Sequence, residues 1–399
     1  MLSRRAFLGG LATVAVGGPI LASTLGTRAF GASAQPDVAA GALPMTVVNH
    51  TDRYANGQLW CYVVGTNLTT GQQAFVGQDG SLQAVSLSDN GADGFADLSI
   101  PLAADGDTHL SIPADMSGRI YLAAADKLRF KVVSDGAGNP ALQYPAGWVS
   151  TDPSFAVLHD WIEFTNNGGG MFCNTTMVDQ FSVPLAITLT GGAGTQTTGT
   201  LVAGGRAAIF AAIFAAIAGN PDFAGLVLGD DLRVIAPGHG IDAGLFSPTY
   251  YDAYINSVWS QYAGRPLTVS TNAGTFTGQV SGNTLVFGGG IAPFAKPTTQ
   301  NVFYCDGALA APNDGVTGPV AAVLGAGFNR STLLTDANQP DTDAATFYPA
   351  GVTNHYARAM HANSADGRAY GFPFDDVANF AAAVQDGAPT SMTVTLTPF

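Results

Sequence analysis

Between residues 45 and 190 the apolar side chains come in short runs that Gly, Asn and Asp separate. Three of these runs are TVVN at 46–49, LWCYVV at 59–64 and RIYL at 119–122. Runs of this length bounded by turn residues are typical of β-strands, and no helical period runs through the segment. The segment therefore predicts an all-β module in which turns connect short strands.

Charged side chains are scarce, and aspartate dominates them. The 399 residues include 29 acidic and 15 basic side chains, for a formal charge of −14, and Glu163 is the single glutamate. Charged residues make up 11% of the chain, against roughly 25% in an ordinary soluble domain. The few scattered basic residues exclude a nucleic-acid binder, and the near-absence of Glu and Lys excludes a coiled coil. With 47% apolar residues the chain has enough material for a large core.

The N-terminus has the pattern of an export signal. SRRAFL at 3–8 is a twin-arginine motif, an apolar run follows at 7–25, and ASA at 32–34 is a small-residue cleavage site. We expect residues 1–34 to be a signal peptide, residues 35–44 to be a linker, and the mature protein to be secreted or periplasmic without membrane attachment. A membrane anchor is the alternative, because the run is about long enough to span a bilayer.

After residue 190 a helical period appears. One helix ends at GNP (219–221), and a second is predicted to open at Ser247-Pro248. The apolar face of the first helix is formed by Ile209, Phe210, Ile213, Phe214 and Ile217. The face of the second, expected to lie in the core, is formed by Tyr251, Tyr254, Ile255, Val258, Trp259 and Tyr262. Strand-like runs at 267–270 and 284–287 complete a predicted mixed α/β domain at 191–362.

The C-terminal segment is again strand-like. SMTVTLT at 391–397 alternates between apolar and polar side chains. Because chain ends often lie close together in a compact domain, we expect this strand to return to the first module. Residues 363–399 would then complete the β domain of residues 45–190, and the mixed domain would be an insertion with a cleft beside it. The predicted fold class is mainly β with an α/β insertion.

The residues with the clearest chemical character lie between 159 and 180. In a strand over residues 161–165, Ile162 and Phe164 point to one face, while Trp161, Glu163 and Thr165 point to the other. One face suits a core, and the other suits a sugar, because aromatic rings cover its apolar C–H surfaces. Hydrolysis of a glycosidic bond needs two carboxylates, so Glu163 and Asp179 are the candidate pair.

The spacing of this pair raises a difficulty. If both residues lay on one regular hairpin closed by the three glycines at 168–170, Glu163 would face Cys173 and Asp179 would lie about 20 Å farther along the strand. The chain must therefore bend near residues 174–176, or Asp179 must lie on a different neighbouring strand. The alternative is that Asp179 has no catalytic role and is a turn or solubilising aspartate like most others.

Two separated motifs resemble one enzyme family. The run DWIEFT at 160–165 with NTTMVDQF at 174–181, and the run DGRAYGFPFDDV at 366–377, are similar to the β-1,3-glucanases of glycoside hydrolase family 64. The resemblance implies a thaumatin-like β-barrel or sandwich domain that forms a wide groove with a mixed α/β domain. It also implies inverting endo-hydrolysis of β-1,3-glucan of the laminarin or curdlan type, with release of laminaripentaose-sized products.

The resemblance also implies roles for particular residues. Glu163 would be the general acid and Asp179 the general base. The substrate-binding residues would be Thr165, Asn167, Phe172, Asn174, Thr176, Asp375 and Asp376. Phe172 stands where many members have tryptophan, so a smaller ring would cover the sugar. Trp161, Phe164 and Phe172 are expected to give Glu163 an apolar setting that favours a protonated acid.

Nothing in the sequence calls for a metal or a cofactor, and we expect a monomer whose partner is β-1,3-glucan. Cys61, Cys173 and Cys305 allow at most one disulfide, and buried free thiols are the default expectation. Two functional alternatives stay open. One is a thaumatin-like β-glucan or cell-wall binder that does not cleave, and the other is a hydrolase of a different β-glucan.

Overall fold

The computed structural model describes residues 42–349 and 351–399. The predicted signal peptide and most of the predicted linker lie outside the described residues. The strands are β1 (Leu43–Asn49), β2 (Leu59–Asn67), β3 (Gln73–Val76), β4 (Leu82–Ala84), β5 (Ile100–Pro101), β6 (Thr108–Ile112), β7 (Met116–Ala124), β8 (Lys131–Ser134), β9 (Pro140–Gln143), β10 (Leu158–Asn167), β11 (Gly170–Thr175), β12 (Gln180–Phe181), β13 (Leu185–Gly191), β14 (Gly194–Thr198), β15 (Val227–Leu228), β16 (Arg233–Ile235), β17 (Leu267–Thr271), β18 (Gly274–Ser281), β19 (Thr284–Phe287), β20 (Phe294–Ala295), β21 (Asn338–Gln339), β22 (Ala383–Asp386) and β23 (Pro389–Leu396).

Within residues 42–349 and 351–399, the helices follow β14 except for two short 3-10 turns. The α-helices are α1 (Gly205–Ile217), α2 (Pro237–Asp242), α3 (Asp252–Gly264), α4 (Thr299–Tyr304), α5 (Thr317–Asn329) and α6 (His355–Asn363). The 3-10 helices are Asn56–Gln58, Leu87–Asp89, Pro221–Leu226, Gly307–Leu309 and Ala344–Thr346. The prediction of a mainly β fold is confirmed.

Two sheets pack face to face and enclose the core of the β region. One has five strands in the order β14-β13-β23-β1-β6, and the other runs β22-β11-β10-β7-β2-β3-β4 with β5 beside β2. Alternate side chains of both sheets fill the space between them, for example Val47, Ile120, Ile162 and Val394. Both sheets end in edge strands, so the described residues contain no closed barrel. The sequence left open a barrel or a sandwich, and the two packed sheets form a sandwich.

The C-terminal strand returns to the β region, as expected from the closeness of chain ends in compact domains. β23 lies between β1, to which it is parallel, and β13, to which it is antiparallel. The glycine-rich stretch after residue 190 forms the turn of the β13–β14 hairpin. Asp386 accepts hydrogen bonds from the Gly192 and Ala193 amides there. The five-stranded sheet thus extends to Thr198, past the predicted boundary at residue 190.

The helical part has its own core around α1, α3 and α5. The tyrosine and tryptophan face of α3 is buried in that core, as predicted. The predicted start of this helix is wrong, because α3 begins at Asp252. The Ser247 hydroxyl accepts from the Thr249 amide and forms a separate turn before the helix.

The three cysteines are free and buried, as expected. Burial raises the pKa of the Cys61 and Cys173 thiols to about 12, so both stay neutral in the core. Among residues 42–349 and 351–399, no helix combines the length and apolar character needed to cross a membrane.

Candidate active site

Strand β10 carries Glu163 and has two chemically different faces. Ile162 and Phe164 point into the core between the two sheets. Trp161 lies in the smaller cluster on the opposite side of the eight-stranded sheet. Glu163 therefore stands on the outer face of that sheet, as the alternation predicts.

The residue opposite Glu163 on β11 is Asn174, whereas a hairpin closed by all three glycines would place Cys173 there. Asn167 pairs with Gly170, so the turn contains only Gly168 and Gly169 and the register shifts by one residue. Gly170 has φ +107°, and a Cβ there would lie 2.1 Å from the Asp386 carbonyl oxygen. This close backbone approach fixes where the turn ends.

The chain bends after β11, as the spacing of the two carboxylates requires. β11 ends at Thr175, and β12 (Gln180–Phe181) belongs to a different sheet, where it pairs with β16. Asp179 lies directly before β12, and its carbonyl oxygen accepts a hydrogen bond from the Ala236 amide, 2.9 Å away. The backbone of Asp179 is therefore fixed by the segment that leads into α2.

Arg119 lies between the two carboxylates. It stands opposite Glu163 on the neighbouring strand β7. Its Nη2 lies 3.1 Å from Glu163 Oε1 and 3.7 Å from Asp179 Oδ2. Although burial opposes a charge on Arg119, Tyr121 and the two carboxylates raise its pKa further above the usual range. Its guanidinium also lies over the Trp161 ring, 4.9 Å from the centroid.

The shared guanidinium nitrogen sets the distance between the two acids. Because one nitrogen reaches both oxygens at 3.1 and 3.7 Å, those oxygens are at most 6.8 Å apart, the sum of the two distances. The other oxygens, Glu163 Oε2 and Asp179 Oδ1, contact Asn174 and His239 instead. Carboxyl groups of inverting glycosidases are about 6.5–9.5 Å apart, and the arrangement is compatible with the lower end of that range.

The surroundings of Glu163 are polar, which corrects the expected apolar setting. Arg119 donates to Oε1, and the Asn174 amide donates to Oε2 across 3.3 Å. Phe164 lies on the other face of the sheet. The side chains of Glu163 and Asp179 are 15% and 22% exposed, so both are accessible to a substrate.

The second partner of Asp179 comes from the helical part. His239 Nε2 lies 2.7 Å from Asp179 Oδ1. Its ring stacks on Trp148 with centroids 4.2 Å apart, and its Nδ1 lies 3.2 Å from the Tyr304 hydroxyl. These residues join the two parts of the molecule at the site.

The sequence patterns miss Arg119, His239 and Trp148. The available signals are weak: Arg119 is a lone basic residue before the apolar residues 120–124, and His239 stands between two glycines in PGHG. Arg119 and His239 become recognisable only in the folded chain. The fold places Arg119 beside Glu163, 44 positions away, and His239 beside Asp179, 60 positions away.

The predicted sugar-binding residues near Glu163 fall into two groups. Thr165 and Phe172 are half-buried partners across β10 and β11, and the Thr165 hydroxyl lies 2.8 Å from that of Ser117. Asn167 holds the hairpin turn by accepting from the Gly169 amide, and Thr176 is buried, with its hydroxyl accepting from the Val178 amide.

Asp375 does not reach a groove, which corrects its predicted role. It is fully buried and accepts from Arg330 at 3.0 Å and from the Gly371 amide, while His361 lies 2.9 Å away. Although burial favours the neutral acid, His361 and Arg330 lower the pKa of Asp375. Its role is structural.

Asp376 is half-buried, unlike its neighbour. Its Oδ1 is buried without a hydrogen-bond partner among the described residues. Burial raises its pKa to about 7.

Two partly exposed carboxylates share one cation between a β-sandwich and a helical region, an arrangement that resembles the paired acids of glycoside hydrolases. The sequence model of the β-1,3-glucanases of glycoside hydrolase family 64 matches residues 41–396. The chain therefore belongs to this family.

Proteins similar to this chain in sequence and proteins similar to it in structure are named as enzymes that act on β-1,3-glucan. Glucan endo-1,3-β-glucosidases from Cellulosimicrobium cellulans and from Arthrobacter sp. (strain YCWD3) are each 38% identical over 297 residues, or 71% of this chain and 53% of theirs. The chain thus spans about half the length of these curated relatives. A laminaripentaose-producing β-1,3-glucanase solved with laminaritetraose superposes with a TM-score of 0.80 at 37% identity, covering 91% of this chain and 99% of that one. A β-1,3-glucanase domain from Clostridium beijerinckii gives 0.77 at 28% identity, covering 92% and 100%.

Proposed function

We propose that this protein is an inverting endo-β-1,3-glucanase in which Glu163 is the general acid and Asp179 the general base. The observation that carries the proposal is the position of Arg119, whose Nη2 reaches both carboxylates. The two carboxylates are therefore close enough to act on one substrate, since the oxygens that face Arg119 are at most 6.8 Å apart. Membership of the family and the names of its relatives support β-1,3-glucan as the substrate.

The charges at the site suit such a reaction. Glu163 gives its proton to the glycosidic oxygen, while Asp179 takes a proton from the water that attacks the anomeric carbon. One carboxyl is ionised before the step and the other is ionised after it. Because Arg119 lies beside both, its single positive charge has an ionised partner throughout the step.

The size of the products and the superfamily of the fold are finer parts of the proposal. The 37% identity to a laminaripentaose-producing enzyme supports release of oligosaccharides of about that size. The sandwich of two sheets supports a thaumatin-like superfamily fold. Asn174, which donates to Glu163, and the half-buried pair Thr165 and Phe172 are the proposed sugar contacts on these two strands.

The test compares the wild type with Glu163→Gln and Asp179→Asn. Reducing ends released from laminarin, curdlan and a β-1,4-glucan are measured in parallel, and NMR follows the anomer that forms first. We expect release from the β-1,3-linked polymers only, an inverted anomer, and a loss of at least about 100-fold in each variant. Asp105→Asn, on an exposed loop, is the matched control.

Three outcomes would contradict the proposal. Folded variants with near-normal rates would remove the acid/base assignment, and a retained anomer would remove the inverting mechanism. Binding of laminarin by the wild type without release would identify a non-catalytic β-glucan binder.

A further inference from the structure

Asp179 is held at two points by one short segment of the helical part. The Ala236 amide donates to its carbonyl oxygen, and His239 Nε2 lies 2.7 Å from its Oδ1. Asp179 Oδ2 is then the oxygen that faces Arg119 and Glu163. The contact with His239 therefore decides which carboxylate oxygen is turned toward the reacting atoms.

The His239 ring is fixed on both sides. Trp148 stacks on it at 4.2 Å with an interplanar angle of 18°, and Tyr304 packs edge-on at 5.7 Å and 74°. The side chain is only 8% exposed. A Cβ on Gly238 would lie 2.5 Å from the Tyr304 ring, so the glycine before His239 makes room for that ring.

The two ring nitrogens have different partners. The Tyr304 hydroxyl donates to Asp242 Oδ2 across 2.8 Å, and its oxygen lies 3.2 Å from His239 Nδ1. Asp242 is exposed and also accepts from Gln300. At the other side of the ring, Nε2 donates to the Asp179 carboxylate. The groups that face His239 are thus Asp179 before β12, Trp148, Tyr304 on α4 and, through Tyr304, Asp242 on its own helix.

We propose that His239 is a positioning residue for the general base: it holds Asp179 by Oδ1 so that Oδ2 is aimed at the attacking water. The inference rests on the proposed function, because it assigns His239 a task in that same reaction. His239 does not touch the reacting atoms, and Trp148 and Tyr304 act by fixing its ring. A carboxylate with a fixed rotamer loses less freedom in the transition state, so the effect belongs to kcat rather than to substrate binding.

The experiment replaces His239 by Ala and by Gln and measures kcat and KM on laminarin. In His239→Ala we expect kcat to fall about 10- to 100-fold with KM changed less than about threefold, since a general base itself contributes about 10²–10⁴-fold. The glutamine amide can donate from nearly the place of Nε2, so His239→Gln should recover part of the rate. His355→Gln is the matched control: His355 is a half-buried histidine of the helical part, and Asn220 is its side-chain partner.

The pH profile separates positioning from general damage to the fold. A carboxylate that loses a hydrogen-bond donor is protonated more easily, so the acidic limb of kcat/KM in His239→Ala should move to higher pH. If His239→Ala does not fold, Tyr304→Phe, which removes the hydroxyl beside Nδ1 and keeps the ring, should move the acidic limb in the same direction by a smaller amount. An active wild type with unchanged kcat and unchanged acidic limb in these variants overturns the role of His239 alone. A wild type that does not hydrolyse laminarin overturns the proposed function instead.

Discussion

The single glutamate of the chain occupies a place that aspartate cannot fill equally well. From β10, the Glu163 carboxyl reaches Arg119 on β7, the neighbouring strand on one side, and Asn174 on β11, the neighbouring strand on the other side. Aspartate would withdraw the carboxyl by one methylene, about 1.5 Å. Elsewhere the chain uses aspartate for every acid, and the longer side chain stands where the geometry needs its reach.

Glu163→Asp is therefore expected to lower kcat on laminarin by about 100-fold, because Glu163 is the proposed general acid and a displacement of roughly 1 Å in such a group costs about that much. The thermal midpoint should stay close to that of the wild type, since the side chain is partly exposed and the carboxyl group is retained. Steady-state kinetics and a melting curve check both points. A variant that works at the wild-type rate would mean that the length of this side chain does not matter.

Asp376 offers a second prediction for a single side chain. Its pKa is raised by burial to about 7 from a usual 3.8. The folded carboxyl holds a proton that the unfolded chain releases between these pH values, so the free energy of unfolding falls as pH rises through this window. Asparagine does not titrate, so Asp376→Asn does not lose this part of the free energy of unfolding as pH rises. Above pH 7 the variant should be more stable than the wild type by up to a few kcal/mol.

Urea unfolding of Asp376→Asn at about pH 4 and pH 8 tests this, with Asp105→Asn as the exposed control. The gain should be large at the higher pH and small at the lower one. An equal difference at both pH values would contradict the shifted pKa. A raised KM for laminarin in the same variant would support the predicted contact of Asp376 with substrate.

At the scale of elements, the position of Arg119 depends on an unusually close pair of strands. Gly65 on β2 and Gly118 on β7 stand opposite each other. A Cβ on Gly118 would lie 2.1 Å from the Val64 carbonyl oxygen and 2.6 Å from the Gly65 Cα. Both contacts involve backbone, which cannot give way locally.

We expect Gly118→Ala to destabilise the protein by about 2 kcal/mol or more, because β7 must move away from β2. Since Arg119 is the next residue, kcat should fall as well. Gly57→Ala is the control, as no atom lies within 4 Å of the added Cβ. Denaturant unfolding and laminarin hydrolysis give the two readouts, and a Gly118→Ala protein as stable as Gly57→Ala would show that the strands can separate without cost.

The elements themselves follow from local sequence, whereas the site depends on pairings between distant residues. The alternation around Glu163 predicts which side chains face the core, and the run at 284–287 coincides with β19. Asn174 rather than Cys173 faces Glu163 because a two-residue turn sets the register, and three successive glycines do not specify that turn. Arg119 and His239 reach the carboxylates from positions 44 and 60 residues away, and no local period encodes such contacts.

At the scale of the whole molecule, the path from the helical part back to the sandwich is held by a buried charge cluster. Asp375 lies on that path, Arg330 follows α5, and His361 lies on α6. The family motif marks Asp375 as notable, yet the motif alone does not show that its partners come from two helices and bury it completely. A carboxylate in this place ties the returning chain to the helical part.

The two histidines of α6 should give the stability of the molecule opposite responses to pH. Although burial opposes its protonation, Asp375 raises the pKa of His361, so its contribution is complete below about pH 6.5 and is lost as pH rises through the raised value. Burial lowers the pKa of His355, so that residue costs stability in acid, and the cost disappears as pH approaches 6.5. Urea unfolding of His361→Gln and His355→Gln between about pH 5 and 8 compares the two. Relative to the wild type, His361→Gln should lose most stability at low pH, whereas His355→Gln should fare best there. Parallel curves for the two variants would show that the charge cluster does not govern the pH dependence of folding.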